Sequence, residues 1–230
     1  MIGVDYEEII KTLKSHSNPK NVAGMARFGI NSKNTLGVSI PVLRKIAKEN
    51  GKNHTLAGEL WASGIHEARI LASYVEEPKS VTEKQMDDWV ADFDSWDVCD
   101  QVCSSLFDKT PFAHRKAAEW SRRNEEFIKR AGFAMMACLA VHDKQAADSA
   151  FMKFLPIIKR GSVDERNFVR KAVNWALRQI GKRNKRLNAA AIKAAKEIAK
   201  IDSKSAKWIA KDALRELKSM AVKKRLIATA

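Results

Sequence analysis

Four aspartates surround one tryptophan in the segment DFDSWDVCDQVC, residues 92–103. Asp94 and Asp97, three residues apart, resemble a capping box with Asp in place of the usual Glu, so we expect both to begin a helix. Asp100 lies beyond the first helical turn, four residues after Trp96, and a helix places these two side chains on one face. Aspartates at this spacing, without a nearby His or a glycine-rich calcium loop, rarely bind a metal. We therefore predict metal-free chemistry at Trp96 and Asp100, with a solvated acidic helix start as the alternative.

A second group of residues lies in DERNFVRKAVNWALRQIGKRNKR, where cationic and apolar residues follow helical spacing. Arg170, Asn174 and Arg178 fall on successive turns, and Lys171 and Trp175 also lie near this face. A helix of this composition often has a solvated face, and a lone tryptophan is more often a core residue than a binding platform. The clustering with GKRNKR instead favours a phosphate-binding patch that also includes Lys182 and Arg183.

Arg130 stands at the polar start of the apolar helix predicted to begin near Glu125. Its side chain either snorkels at the edge of the apolar stripe or, if the helical units repeat, grips a backbone phosphate with its forked guanidinium. His142 has no Cys or Ser partner nearby in the sequence, and we assign it a structural role. Four further tryptophans are assigned to packing: Trp61, Trp89, Trp120 and Trp208.

Composition narrows the class of protein. The chain has 230 residues, is 45% hydrophobic and carries 42 Lys and Arg against 27 Asp and Glu, for a formal net charge of +15. The positive electrostatic field of such a protein favours binding of a polyanion, and nucleic acid is the first candidate. No apolar run is long enough to span a membrane, and the acidic N-terminal segment lacks the features of a signal peptide, so we expect a cytoplasmic protein. The three cysteines fit neither a zinc site nor a disulfide framework and are predicted to be reduced, mostly buried thiols.

Apolar residues recur at three- and four-residue spacing along the whole chain, which predicts an all-α protein. Turn and capping residues predict helix boundaries at Asn18-Pro19, Asn50-Gly51, Ser63-Gly64, Pro78, Thr110-Pro111, Arg160-Gly161 and residues 200–203. None of these boundaries resembles a flexible linker, so we predict one domain over residues 1–230.

Four small-residue-rich segments recur along the chain: EARILASYV, KRAGFAMMACLAV, VRKAVNWALRQI and KWIAKDALREL. Their period of roughly 30 to 40 residues is that of two-helix solenoid units. Stacked antiparallel helix pairs of this kind predict a concave groove lined by basic residues, which could hold a duplex.

Three of the segments, SWDVCD, FIKRAGF and VRKAVNWALR, in this order, resemble the AlkD family of alkylpurine DNA glycosylases, which are built from HEAT-like repeats. The likeness begins at FGINSKNTLGVSIPVLRKIAK and extends over most of the chain. It implies a HEAT-like α-solenoid that excises cationic N3- and N7-alkylated purines from double-stranded DNA. The resemblance also implies that the enzyme needs no metal or cofactor and no flipped-base pocket of the kind most glycosylases use.

Site residues follow from this resemblance position by position. Trp96 and Asp100 match the family's first tryptophan and catalytic aspartate, Trp175 matches its second active-site tryptophan, and Arg130 matches a DNA-contacting arginine. Arg178 resembles a further backbone contact. Family members often have a tyrosine near the lesion, and the corresponding candidate here is Phe28, which can stack but cannot donate a hydrogen bond.

Two other functions are compatible with the same sequence. The net charge would also suit a non-catalytic HEAT-like protein that binds duplex or branched DNA. Helical repeats most commonly serve as protein-binding scaffolds. We expect a monomer in each case, associated with the nucleoid if the chain binds DNA.

Overall fold

A computed structural model describes residues 6–228, and in this range every regular element is a helix. The chain forms two compact units that meet in sequence at Thr110 and Pro111, and the prediction of a single domain stays a prediction. In the first unit the α-helices are α1 (Tyr6–Ser15), α2 (Pro19–Arg27), α3 (Ile40–Asn50), α4 (His54–Ala62), α5 (His66–Val75), α6 (Glu83–Ala91) and α7 (Trp96–Ser105), followed by a 3-10 turn, Phe107–Lys109.

The second unit contains α8 (Ala113–Trp120), α9 (Glu126–His142), α10 (Asp148–Met152), α11 (Phe154–Gly161), α12 (Asn167–Gly181), α13 (Lys185–Ile198), α14 (Lys204–Leu217) and α15 (Met220–Ala228). Of the helices described, none has both the length and the apolar character needed to cross a membrane.

Helix boundaries follow local chemistry. Asn18 accepts hydrogen bonds from the first turn of α2, whose first residue is proline. This arrangement satisfies backbone donors that the helix itself cannot pair. Gly51 and Gly64 follow α3 and α4 with φ angles of 70° and 66°, which residues with a Cβ rarely adopt. The helix boundaries predicted from turn residues are therefore confirmed.

The core of the first unit is aromatic. The rings of Trp61 and Trp89 stack with their centroids 4.1 Å apart, and Phe93 and Phe107 pack around them. Burial of each such ring stabilises the fold by about 1.5–3 kcal/mol. These contacts join α4 to α6 and to the segments on either side of α7.

In the second unit α9 is buried on nearly all sides between α8 and α12. Gly132 allows α8 to approach closely, since a Cβ there would lie 2.3 Å from the backbone nitrogen of Ser121. Trp120 is buried beside this crossing. Packing of Trp61, Trp89 and Trp120 is thus confirmed, as is burial of the three cysteine thiols.

Several side-chain contacts within each unit share one sequence separation. In the first unit Trp61 bonds Asp92 and His66 bonds Asp97, both 31 residues apart. In the second unit the separation is 38 residues for three pairs: Lys159 with Glu197, Asn174 with Asp212, and Arg178 with Glu216. These separations agree with the predicted period of 30 to 40 residues.

Candidate functional site

Helix α7 begins differently from the sequence prediction. Ser95 is the N-cap residue and its side chain caps no backbone nitrogen; instead its Oγ donates to Oδ1 of Asp97 at 2.5 Å. Asp94 lies before the helix and accepts from Nδ2 of Asn31 at 2.7 Å. The predicted capping box of Asp94 and Asp97 is therefore wrong, because long-range partners hold both carboxylates.

Asp97 forms a partly buried pair with His66 of α5. The distance from Nε2 of His66 to Oδ2 of Asp97 is 2.8 Å, and the His66 side chain is only 3% exposed. Burial by itself lowers the pKa of His66, but the hydrogen bond and negative charge of Asp97 outweigh it and raise that pKa above its ordinary value. The pKa of Asp97 is lowered in turn: burial opposes the shift, and the contacts with His66 and Ser95 prevail.

Asp92 fixes the segment between α6 and α7. Its Oδ2 accepts from Nε1 of Trp61 at 2.8 Å, and its carbonyl accepts from Nη1 of Arg69 at 3.0 Å. The guanidinium of Arg69 also lies 5.3 Å from the centre of the Trp61 ring. The three acids before Asp100 thus position the start of α7 in the first unit.

Trp96 and Phe28 are brought together by the fold. Nε1 of Trp96 donates to the carbonyl oxygen of Phe28 at 3.1 Å, across 68 residues of sequence. Phe28 ends α2 and is 73% exposed, while Trp96 is half-buried. Asp100 is half-buried one turn further along α7. The backbone at Phe28 is therefore joined to the indole at the start of α7, the helix that also carries Asp100.

Glu67 secures the loop that follows Phe28, and the sequence analysis missed it. The carboxylate of this buried residue accepts from the backbone nitrogens of Leu36, Gly37 and Val38 at 2.8, 2.6 and 3.2 Å. Gly37 has φ 79°, and a Cβ there would lie 2.3 Å from the carbonyl oxygen of Asn18. A glutamate within the apolar stripe EARILASYV was the signal that could have revealed this role.

The predicted cationic face of α12 is largely paired with α14. Nδ2 of Asn174 donates to Asp212 at 2.7 Å, and Glu216 accepts from Nη1 of Arg178 at 2.5 Å and from Nζ of Lys182 at 2.6 Å. Burial tends to raise the pKa of Glu216, but these two cations lower it overall. Arg178 and Lys182 therefore hold two helices together in the structure, and their predicted phosphate contacts stay predictions.

Arg183 and Arg130 also have partners inside the second unit. Arg183 donates to the carbonyl oxygens of Ala140 and Ala146, with its guanidinium 4.3 Å from the centre of the Phe151 ring. Arg130 is 5% exposed and donates from Nη1 to the carbonyl oxygen of Phe168 at 2.5 Å. The structure gives each arginine an intramolecular partner, and their DNA contacts stay predictions.

Lys171 is exposed and Trp175 is half-buried, both on α12. Arg170 lies over the ring of Trp208 on α14, 5.2 Å from its centre. Trp208 is 38% exposed, so its assignment to the packed core is wrong. The sequence signal for this was the spacing of cations about Trp208, every three or four residues from 204 to 215.

Comparison with models of known protein families identifies the family of this chain. The model of the DNA alkylation repair enzyme family matches residues 9–217. The chain belongs to this family. The helical repeat described above lies within the matched residues, as do Phe28, Trp96 and Asp100.

One solved structure shares the HEAT-like repeat fold of this member of the DNA alkylation repair enzyme family. It is 22% identical, covers 93% of this chain and 96% of its own, and aligns with a TM-score of 0.77. It represents a new family of proteins related to the HEAT-like repeat DNA glycosylases with affinity for branched DNA structures. At this identity the likeness shows the fold alone.

Two further structures align less well. An engineered protein is 14% identical, with coverage of 93% and 98% and a TM-score of 0.38. A designed armadillo repeat protein in complex with the peptide (KR)4 is 13% identical, with coverage of 81% and 89% and a TM-score of 0.35. These scores are too low to carry an argument. The comparison with curated protein sequences returned no match.

Proposed function

We propose that the chain is a monofunctional DNA glycosylase that removes cationic N3- and N7-alkylated purines from double-stranded DNA, with Asp100 as its catalytic carboxylate. The observation that carries the proposal is the hydrogen bond from Trp96 to the carbonyl of Phe28. It joins the aromatic residue expected near the lesion to the helix that bears Trp96 and Asp100. Membership of the DNA alkylation repair enzyme family supports the same assignment.

Cleavage of the glycosidic bond of a cationic purine needs few catalytic groups. An alkylated purine already carries a positive charge, so the bond from C1′ to N9 breaks without a general acid and the base leaves neutral. Positive charge then develops on the deoxyribose, and a carboxylate beside the sugar stabilises it. A water molecule adds to C1′ and releases one proton, to Asp100 or to solvent, which leaves an abasic site. Half-burial of Asp100 strengthens this electrostatic effect relative to bulk water.

Aromatic rings supply selectivity in this proposal. The faces of Trp96 and Trp175 attract a cationic nucleotide, and the exposed ring of Phe28 stacks against the lesion. A neutral purine gains less from each of these contacts. The catalytic preference for charged lesions therefore follows from the same residues that bind them.

Cationic side chains of the second unit bind backbone phosphates in this proposal. Lys171 is exposed and can do so directly. Arg178 and Lys182 both donate to Glu216, so this carboxylate competes with a phosphate for the two cations. The proposed enzyme acts as a monomer and needs no metal or cofactor.

The test is release of free base from duplex DNA that contains N7-methylguanine or N3-methyladenine, without added metal. We expect release by the wild type and a loss of at least about a hundredfold in Asp100→Asn, the order of a single electrostatic catalytic group. Duplex affinity should stay equal or rise, because a negative charge near the phosphates is removed. Asp88→Asn is the matched control, since Asp88 is an exposed partner of Lys84 on α6. Unchanged release in Asp100→Asn would refute the catalytic assignment.

The second function is binding of duplex or branched DNA without catalysis. The net charge of +15 favours it independently of Asp100, and the structural relative described above has affinity for branched DNA. Tight, salt-sensitive binding to junctions, combined with no base release from either lesion, would establish this function in place of the glycosylase.

A further inference from the structure

Trp208 is more exposed than the tryptophans of the core. It lies in the first half of α14 and is 38% exposed, whereas Trp61, Trp89 and Trp120 are at most 5% exposed. A single exposed apolar side chain is common and does not by itself indicate a ligand. An exposed indole within a group of cations is, however, the combination that single-stranded nucleic acid binds.

Cations surround this indole on the same helix face. Lys204 precedes Trp208 by four residues, and Lys211 and Arg215 follow it by three and seven; all three cations are exposed. Arg215 is paired with Asp212, and the neighbouring Lys207 is paired with Asp202. The exposed cations still outnumber the acids, so the surface around the ring favours an anion.

Arg170 fixes the ring from the neighbouring helix. Its guanidinium lies 5.2 Å from the centre of the Trp208 ring, and Nη2 contacts Oδ1 of Asn167 at 3.4 Å. The Nε atom of Arg170 is buried and makes no hydrogen bond within the structure. The guanidinium of Arg170 thus lies over the indole from α12, while Trp208 as a whole remains 38% exposed to solvent.

We propose that Trp208, with Arg170, Lys204 and Lys211, forms a stacking site for an unpaired base of a single-stranded DNA arm. A phosphate alone needs cations and no indole, and a base within a duplex has its faces covered by its neighbours. An unpaired nucleotide supplies both an aromatic face for Trp208 and a phosphate for the cations. The site rests on DNA binding, which is part of the proposed function, but it does not depend on base excision.

The test measures affinity for a labelled duplex that ends in a thymidine arm of about ten nucleotides, within the usual site size of single-strand-binding surfaces. A blunt duplex of the same sequence is measured in parallel. We expect Trp208→Ala to weaken binding of the armed duplex about tenfold, equivalent to about 1.4 kcal/mol, and binding of the blunt duplex less than twofold. Trp208→Phe should retain most of the affinity, because it keeps an aromatic face.

Val163→Ala is the matched control, since Val163 is an exposed apolar residue of the same unit, and melting temperatures verify that each variant folds. Equal losses on armed and blunt duplexes, or no loss on either, would overturn the site. So would displacement of the arm by polyglutamate as readily as by oligothymidine, which would indicate a surface for acidic proteins.

Base release separates this inference from the proposed function. Trp208→Ala should still release N7-methylguanine from a blunt duplex at the wild-type rate. If wild-type protein releases no base but prefers the armed duplex through Trp208, the glycosylase proposal fails and the stacking site stands. If wild-type protein releases base normally but binds armed and blunt duplexes equally, the stacking site fails and the glycosylase proposal stands.

Discussion

His66 and Asp97 form an ion pair that links α5 to the first turn of α7, with 2.8 Å between Nε2 and Oδ2. Asp97 holds the pKa of His66 above its ordinary value of 6.5, so the folded chain binds that proton more tightly than the unfolded chain does. This contribution to stability is fully present below about pH 6.5 and is lost as the pH rises through the folded-state pKa. The lowered pKa of Asp97 contributes stability above pH 3.8 that is lost as the pH falls.

Asp97→Asn should therefore lower the free energy of unfolding by about 2 kcal/mol near pH 6, the order of a hydrogen bond to a charged group. It should also reduce the loss of stability above pH 6.5, because burial then opposes the charged form of His66 without the hydrogen bond and charge of Asp97. Urea unfolding across this pH range measures both effects. Asp143→Asn is the control, since it removes a similar but more exposed pair with His114 at 2.9 Å and should cost less than about 1 kcal/mol. Equal losses in the two variants would contradict the prediction.

Phe28→Ala tests the aromatic residue next to Trp96. Because Phe28 is 73% exposed, its truncation should change the free energy of unfolding by less than about 0.5 kcal/mol. Base release should nevertheless fall about tenfold, the loss expected when one stacking contact of about 1–3 kcal/mol is removed. Single-turnover release of N7-methylguanine measures the effect. Ile227→Ala truncates another exposed apolar side chain and should leave release unchanged; an equal fall there would make the effect nonspecific.

Glu216→Gln tests whether the paired cations of α12 are available to DNA. The change removes the carboxylate that accepts from Arg178 and Lys182. We expect duplex affinity to rise about threefold, because Glu216 no longer competes with phosphate for the two cations. The slope of log affinity against log salt concentration should steepen by about one displaced counterion. Fluorescence anisotropy at several salt concentrations measures both.

Glu197→Gln is the control for Glu216→Gln. It makes the same charge change at a carboxylate that pairs with Lys159, 38 residues away, outside the predicted phosphate-binding residues. It should raise affinity less and leave the salt dependence nearly unchanged. An equal response in both variants would mean that net charge alone governs binding, and Arg178 and Lys182 would then have only a structural role.

Gly132→Ala tests the close approach of α8 and α9. The new Cβ would lie 2.3 Å from the Ser121 nitrogen and 2.9 Å from the Ala117 carbonyl oxygen, and backbone atoms cannot rotate away. We expect a loss of about 3 kcal/mol in the free energy of unfolding, at the upper end for overpacking. Gly58→Ala in α4 meets nothing within 4 Å and should stabilise the protein by about 0.5–1 kcal/mol. Denaturant unfolding compares the two, and a similar effect of both would refute the packing argument.

Local sequence determined the helices and the part of the candidate site that lies on α7. Apolar spacing, Asn18 before Pro19, and glycines such as Gly51 act within one or two turns, so their consequences can be derived from helix geometry alone. The same geometry placed Trp96 and Asp100 one turn apart on α7. The excess of Lys and Arg and the period of the repeat likewise depend on composition and order.

Tertiary structure decided which partner each polar side chain has. Asp97 and Asp94 have the spacing of a capping box but bond His66 and Asn31, and Trp208 resembles a core residue but is exposed. These outcomes depend on contacts 31, 38 or 63 residues away, for example that of Arg178 with Glu216. Spacing along one helix specifies a face but not the helix that packs against it, because that depends on how the repeat units bury their apolar surfaces together.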